Sequence, residues 1–76
     1  MLCVMDDRVL SALGDRLRAL RTKRGWSQEE FAGKCRLDRT YISGIERGRR
    51  NPSIRNIKRI ASVLGVTLSQ LFKGLG

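Results

Sequence analysis

The sequence contains no histidine and only two cysteines among its 76 residues. The absence of histidine excludes histidine general bases, Ser-His-Asp triads and almost every common zinc site. Cys3 and Cys35 are too few for a disulfide framework and lack the spacing of metal ligands, which favours a reducing, intracellular setting. We therefore expect a protein that is not an enzyme and that uses no metal or cofactor.

Long apolar segments are also missing. The run Leu2–Met5 stops at Asp6, which makes it too short for a signal peptide, and nothing approaches the roughly 20 apolar residues of a membrane span. The length leaves room for one domain over residues 1–76 and excludes barrels and doubly wound sheets. These absences predict a cytoplasmic protein with no membrane partner.

Positive charge, in contrast, is in large excess. Sixteen Lys and Arg residues face seven Asp and Glu residues, giving a net charge of +9. Residues 47–76 contain seven of the basic residues and none of the acidic ones. Since 41% of the residues are hydrophobic, the chain can still form a core and is not a disordered basic tail. A small, folded, basic domain has nucleic acid as its expected partner.

Apolar residues recur at helical spacing, and helix-capping residues divide the chain into five short helices. The first helix runs to about Lys23 and is followed by the stop signal Gly25. The next four begin after the caps Ser27, Asp38, Ser53 and Thr67, and the predicted inner face of the fourth is Ile54, Ile57, Ala61 and Leu64. The fold class is therefore all-α.

The second and third predicted helices are separated by only about three residues, Arg36–Asp38. This spacing is typical of a helix-turn-helix, whose second helix enters the major groove of DNA. Ile42 and Ile45 mark the inner side of the third helix, so its other side is free for reading DNA.

Residues 13–73 resemble the Cro/lambda-repressor-like helix-turn-helix family of bacterial and phage regulators. The motifs that carry the resemblance are Leu17–Arg21, Gly25–Ala32, Tyr41–Gly48, Asn51–Ser53 and Leu64–Val66. Within the family, Leu37–Gly48 is most similar to controller proteins of restriction–modification systems. The resemblance implies a compact five-helix domain with the helix-turn-helix at about 27–47 and a dimerisation region at about 64–76. It further implies a nucleoid-associated bacterial homodimer that binds a two-fold operator in double-stranded DNA, with RNA polymerase as an additional partner.

The resemblance also implies roles for individual residues. Base-reading positions are Arg39, Thr40, Tyr41, Ser43 and Gly44, where small Gly44 is expected to let the DNA approach. The Tyr41 hydroxyl is assigned to phosphate or base, and Ser43 is open between base, phosphate and solvent. Backbone contacts are expected from Arg21, Ser27, Gln28, Arg47, Arg49, Arg50 and Asn51, and Arg49 or Arg50 could also enter a minor groove. Arg21 and Glu46 are expected to form a structural pair. Arg36 departs from the family, which usually has glycine at this turn position.

The last predicted helix carries more apolar residues than one short helix can hide. We assign this surplus to a dimer interface made of Val66, Leu68, Leu71, Phe72 and Leu75. An alternative function remains open, namely an antitoxin-type or phage-type repressor of its own operon. RNA binding is disfavoured, because no aromatic stacking motif is present.

Overall fold

The structure is a computed structural model that describes residues 6–75. These residues form five α-helices, as the sequence predicts: α1 (Asp7–Lys23), α2 (Gln28–Cys35), α3 (Arg39–Glu46), α4 (Ile54–Leu64) and α5 (Leu68–Phe72). The apolar run Leu2–Met5, and Cys3 within it, lie outside the described residues. None of the helices in residues 6–75 combines the length and hydropathy needed to cross a membrane.

The predicted caps of α2 to α5 begin the helices as expected. In α2, the Glu30 amide donates to the Ser27 hydroxyl at 3.0 Å and the Ser27 amide donates to the Glu30 carboxylate at 2.9 Å. Thr67 and Gln70 form the same reciprocal capping box in front of α5. Capping satisfies amides that have no partner inside the helix, and each cap contributes about 1 kcal/mol. Local sequence therefore fixes where these short helices start.

The turn between α2 and α3 depends on a residue in the left-handed region. Arg36 has φ 58° and ψ 41°, and it is the only non-glycine residue with positive φ in residues 6–75. The Leu37 amide donates back to the Ala32 carbonyl at 2.9 Å, which closes the end of α2. A side chain in this region costs about 1–2 kcal/mol, so the family's usual glycine would relieve strain here.

All five helices contribute to one core. Its largest fully buried side chains include Phe31 from α2 and Leu13 and Leu17 from α1. In α4 the prediction is wrong at one position, because Ile54 is 69% exposed while Ile60 is buried. At about 100° per residue, Ile54 lies roughly 70° from the centre of the inward face, and it also stands at the outer end of the helix.

α5 is fastened to α1 at its C-terminus. The Arg16 guanidinium donates to the carbonyls of Gln70, Leu71 and Lys73 at 2.9–3.1 Å. Leu71 is 0% exposed and belongs to the core of the single chain, so its assignment to a dimer interface is wrong. The other predicted interface residues are partly buried and lie around this core: Val66, Leu68, Phe72 and Leu75.

α1 and the end of α3 approach each other at Gly14. A Cβ atom at this position would lie 2.5 Å from the carbonyl oxygens of both Ile45 and Glu46. Such a distance is far inside van der Waals contact, so no side chain fits between the two helices. The main chain of α1 therefore supports the C-terminal end of α3 directly.

Candidate nucleic-acid interface

The carboxylate of Glu46, at the end of α3, joins three helices. Its side chain is 0% exposed. Arg21 of α1 donates from Nε to Oε2 at 2.7 Å and from Nη2 to Oε1 at 3.0 Å. Gln28 of α2 donates from Nε2 to Oε1 at 3.0 Å, and Arg18 Nε lies 3.9 Å from the same oxygen. A two-pronged guanidinium contact fixes direction as well as distance, so α3 is held rigidly against α1 and α2.

Arg21 is used almost entirely inside the protein. In addition to its two bonds with Glu46, its Nη1 donates to the Trp26 carbonyl at 2.8 Å, and its side chain is only 11% exposed. Arg21 is thus the ion-pair partner of Glu46. Little of its guanidinium is exposed for the phosphate contact that the sequence also predicts.

Ser27 and Gln28 occupy the N-terminal end of α2. The Ser27 hydroxyl accepts from the Glu30 amide, and Gln28 is partly buried through its bond with Glu46. Because that bond uses one N–H of the Gln28 amide, the second N–H remains for another acceptor. Helix N-termini attract anions, so this end of α2 suits a phosphate.

The first turn of α3 presents Arg39 and Thr40, which are both exposed. Asp38 caps the helix by accepting from the Thr40 amide at 2.8 Å and from the Thr40 hydroxyl at 2.5 Å. These two hydrogen bonds, the side-chain bond foremost, lower the pKa of the Asp38 carboxyl. Arg39 and Thr40 are therefore exposed on a capped turn.

Tyr41 and Gly44 occupy the next part of the outer side of α3, and both are in contact with Arg50. The Arg50 guanidinium carbon lies 5.0 Å from the centroid of the Tyr41 ring. A Cβ atom at Gly44 would lie 2.5 Å from the Arg50 Cγ, and Gly44 is buried. The space above Gly44, expected to admit DNA, is thus filled by the Arg50 stem. Ser43 is half-buried.

The segment after α3 turns back onto the helix. The amides of Arg49 and Arg50 donate to the Gly44 carbonyl at 2.8 and 3.2 Å, and Gly48 adopts φ 72°. Arg47, Arg49, Arg50 and Asn51 are all exposed beside α3. Arg39 before this segment and the three arginines within it therefore place exposed positive charge at both ends of α3.

Asn56 belongs to the site although the sequence does not indicate it. Asn56 in α4 donates from Nδ2 to the Tyr41 hydroxyl at 3.1 Å. The two residues are fifteen positions apart and belong to different helices, so no local motif links them. Only the tertiary fold brings these two side chains together.

The described residues offer little for other chemistry. Among residues 6–75, no three His, Cys, Asp or Glu side chains gather as metal ligands would. Cys35 is buried, and this burial raises the pKa of its thiol to about 11. A thiol with so high a pKa is a core group rather than a nucleophile.

Comparison with known proteins gives consistent matches. Residues 17–71 match a family model described as Helix-turn-helix. A hypothetical transcription factor of Neisseria meningitidis is 48% identical over 67 residues, or 87% of this chain, and the match spans 63% of that relative's length.

Solved structures of two controller proteins are also similar. The restriction–modification controller protein C.AhdI of Aeromonas hydrophila superimposes with a TM-score of 0.80 at 48% identity, covering 83% of this chain and 96% of that one. The controller protein C.Esp1396I, solved as a tetramer on its natural 35-base-pair operator, gives a TM-score of 0.78 at 40% identity over 88% of each chain.

Proposed function

The chain belongs to the helix-turn-helix family, and from this premise we propose that it is a sequence-specific transcriptional regulator, a controller protein of a restriction–modification system. The observation that carries the proposal is the exposed first turn of α3, with Arg39 and Thr40 directed outward beside an arginine-rich segment. The family consists of DNA-binding regulators rather than enzymes. We place the protein at the DNA of a bacterial cytoplasm, where it acts without catalysis.

In this proposal α3 reads bases and the surrounding residues bind the DNA backbone. Arg39 reaches guanine O6 and N7 with its forked guanidinium, and Thr40 contacts a thymine methyl or a base edge. Gln28, Arg47, Arg49 and Asn51 bind phosphates on either side of the groove, which sets the register of α3 without reading sequence. Arg50 contributes charge there while its stem rests on Gly44.

A single domain of this size makes too small an interface with DNA for strong specificity, because such modules bury roughly 600–1,000 Å². We therefore propose a homodimer that binds a two-fold operator. The interface would use the partly buried apolar residues around α5, chiefly Phe72 and Leu75 with Val66 and Leu68. The operator-bound tetramer of the similar C.Esp1396I supports assembly on DNA. RNA polymerase would be the further partner if the protein activates a promoter.

Footprinting the protein on the DNA upstream of its own gene tests this function. We expect two protected half-sites whose centres lie about 34–36 Å apart. With about 6–10 phosphates bound per dimer, affinity should fall roughly 10³–10⁵-fold between 50 and 200 mM salt. A duplex of equal length with scrambled half-sites is the control. Equal affinity for both duplexes, or a single protected half-site at saturation, would contradict the proposal.

Measuring transcription from the same DNA over a range of protein concentrations distinguishes the controller function from the alternative function. Resemblance to controller proteins implies activation at low protein concentration and repression at a higher one. Repression at every concentration would instead indicate an antitoxin-type or phage-type repressor of its own operon. The same titration with an Arg39→Ala variant controls for effects that do not depend on base reading.

A further inference from the structure

Tyr41 is the only tyrosine in the chain, and two side chains from outside α3 hold it. The Arg50 guanidinium lies over the ring at 5.0 Å from the centroid. Asn56 reaches across from α4 and donates from Nδ2 to the hydroxyl at 3.1 Å. One contact is with the ring face and the other is with the hydroxyl, so both parts of the side chain have a partner.

The position of Arg50 is itself determined by the backbone of α3. The Arg49 and Arg50 amides both donate to the Gly44 carbonyl, and the Arg50 stem rests where Gly44 has no side chain. This places the guanidinium above the Tyr41 ring face, where a cation–aromatic contact is favourable. The Tyr41 ring thus has a charged partner over one face in the absence of DNA.

The contact with Asn56 determines which hydrogen-bonding groups of the Tyr41 hydroxyl remain available to another molecule. A hydroxyl has one hydrogen to donate and two lone pairs that accept. The Asn56 N–H occupies a lone pair, so the hydroxyl hydrogen is not used within this contact. The Tyr41 hydroxyl therefore keeps its hydrogen free to donate to another group.

On the basis of the DNA-binding function proposed above, we propose that Asn56 is a positioning residue that fixes Tyr41 as a hydrogen-bond donor toward DNA. The acceptor is an oxygen or nitrogen with a free lone pair. Guanine O6 or N7, adenine N7, thymine O4 and phosphate oxygens all have this chemistry, whereas the amino groups of cytosine and adenine do not. A residue of α4, outside the helix-turn-helix, thereby favours a hydrogen-bond acceptor as the DNA partner of Tyr41.

An Asn56→Asp variant reverses the polarity of this contact with little change in shape. An ionised carboxylate only accepts, so it takes the Tyr41 hydrogen into the protein. Asn56→Asp should therefore resemble Tyr41→Phe, which has no hydroxyl. Loss of one hydrogen bond corresponds to about 2–10-fold in affinity. Ser62→Asp is the matched control, because Ser62 is exposed on the same helix and gains the same charge.

Carbon-13 labelling of the only tyrosine provides a direct readout. The ring carbon that bears the hydroxyl gives a single resonance, which should shift in free Asn56→Asp and stay in place in Ser62→Asp. An unchanged resonance in Asn56→Asp would show that the Asn56 contact is absent in solution and would overturn the proposal. Helix content from circular dichroism verifies that each variant is folded.

Binding to the operator and to each of its single-base substitutions completes the test. We expect Asn56→Asp and Tyr41→Phe each to lower affinity for the operator by the same roughly 2–10-fold. After correction for the charge effect measured with Ser62→Asp, the double variant should bind no more weakly than Tyr41→Phe. Loss confined to one base pair identifies a base acceptor, and equal loss on every duplex identifies a phosphate. If Tyr41→Phe binds like the wild type, or Asn56→Asp binds like Ser62→Asp, the inference is wrong. Failure of the wild type to prefer its operator would instead refute the proposed function.

Discussion

Gln28, the first residue of α2, donates from Nε2 to Oε1 of Glu46, the last residue of α3, at 3.0 Å. The bond ties the proposed phosphate-binding end of one helix to the far end of the reading helix. Arg21 completes the carboxylate's hydrogen bonding from α1. Glu46 is thus buried together with hydrogen-bond donors from α1 and α2, and it connects the end of α3 to both helices.

Glu46→Gln tests this dependence. The amide keeps the size of the side chain but leaves the guanidinium of Arg21 without its counter-charge in a largely buried place. Removing one partner of a buried pair costs about 3–5 kcal/mol, so we expect a large fall in the free energy of unfolding in urea. Glu29→Gln makes the same chemical change at an exposed position of α2 and should stay within about 0.5 kcal/mol of the wild type. Equal effects of the two variants would mean that Glu46 does not brace the fold.

Arg39 and Arg49 distinguish base reading from backbone binding. Arg39→Ala should cost about 1–3 kcal/mol on the operator and flatten discrimination at one or two base pairs. Arg49→Ala should weaken operator and unrelated duplex by similar factors and reduce the salt slope by about 1. Titrations of each variant against single-base substitutions measure both effects. Full base preference in Arg39→Ala would move the reading surface away from the start of α3.

Phe72 and Leu71 are neighbours in sequence with opposite expected roles. Phe72→Asp puts a charge on the partly buried surface of α5 and should lower dimer affinity in sedimentation while helix content is kept. Leu71→Asp places the same charge inside the core, where Leu71 is 0% exposed, and should unfold the domain. A Phe72→Asp protein that stays dimeric would place the interface elsewhere.

Most of the fold can be predicted from the sequence, because caps and helical periodicity are local signals. Ser27, Asp38, Ser53 and Thr67 each begin a helix as predicted. Burial at the ends of helices is harder to predict, since it depends on where the neighbouring helices stop. Ile54 is exposed although it is predicted to face the core, and Leu71 lies in the core although it is predicted to face a partner subunit.

Periodicity predicts only the part of the site that one helix carries, whereas the Arg21–Glu46 pair between α1 and α3 is expected from the family resemblance and is present. Periodicity places Arg39 and Thr40 on the outer side of α3, and both are exposed. Gly44 was expected to leave room for DNA, and no local signal shows that the Arg50 stem would fill that space. The bond between Asn56 and Tyr41 likewise arises from tertiary packing alone.

Arg36→Gly should stabilise the turn between α2 and α3. Glycine removes the cost of a side chain at φ 58°, about 1–2 kcal/mol, and its greater freedom in the unfolded chain offsets about 0.5–1 kcal/mol of that gain. We expect a net increase of a few tenths to about 1 kcal/mol in the free energy of unfolding. Arg36→Ala removes the same charge but keeps the Cβ, so it should show no gain. Equal stabilisation by both would attribute the effect to charge.

The buried thiol of Cys35 predicts a loss of stability in alkali. Its pKa is raised from 9.0 to about 11, so the folded state favours the neutral thiol. The contribution of the neutral thiol to the free energy of unfolding is complete below pH 9. It is lost as the pH rises from 9 to 11, because the thiol ionises first in the unfolded state. Unfolding in urea across this range, in a Cys3→Ser background, should show a steeper decline than the same protein with Cys35→Ala. Parallel curves would rule out this linkage.

At Gly14, α1 contacts the main chain of α3 and not the exposed side chains at the start of α3. The close approach of α3 to α1 at this point involves carbonyl oxygens, which every amino acid possesses, and neither Arg39 nor Thr40 takes part in it. Exchanging residues at positions 39 and 40 therefore leaves the helix where it is. If Arg39 and Thr40 read bases as proposed, we expect that variants specific for other operators can be made on this scaffold as long as position 14 remains glycine.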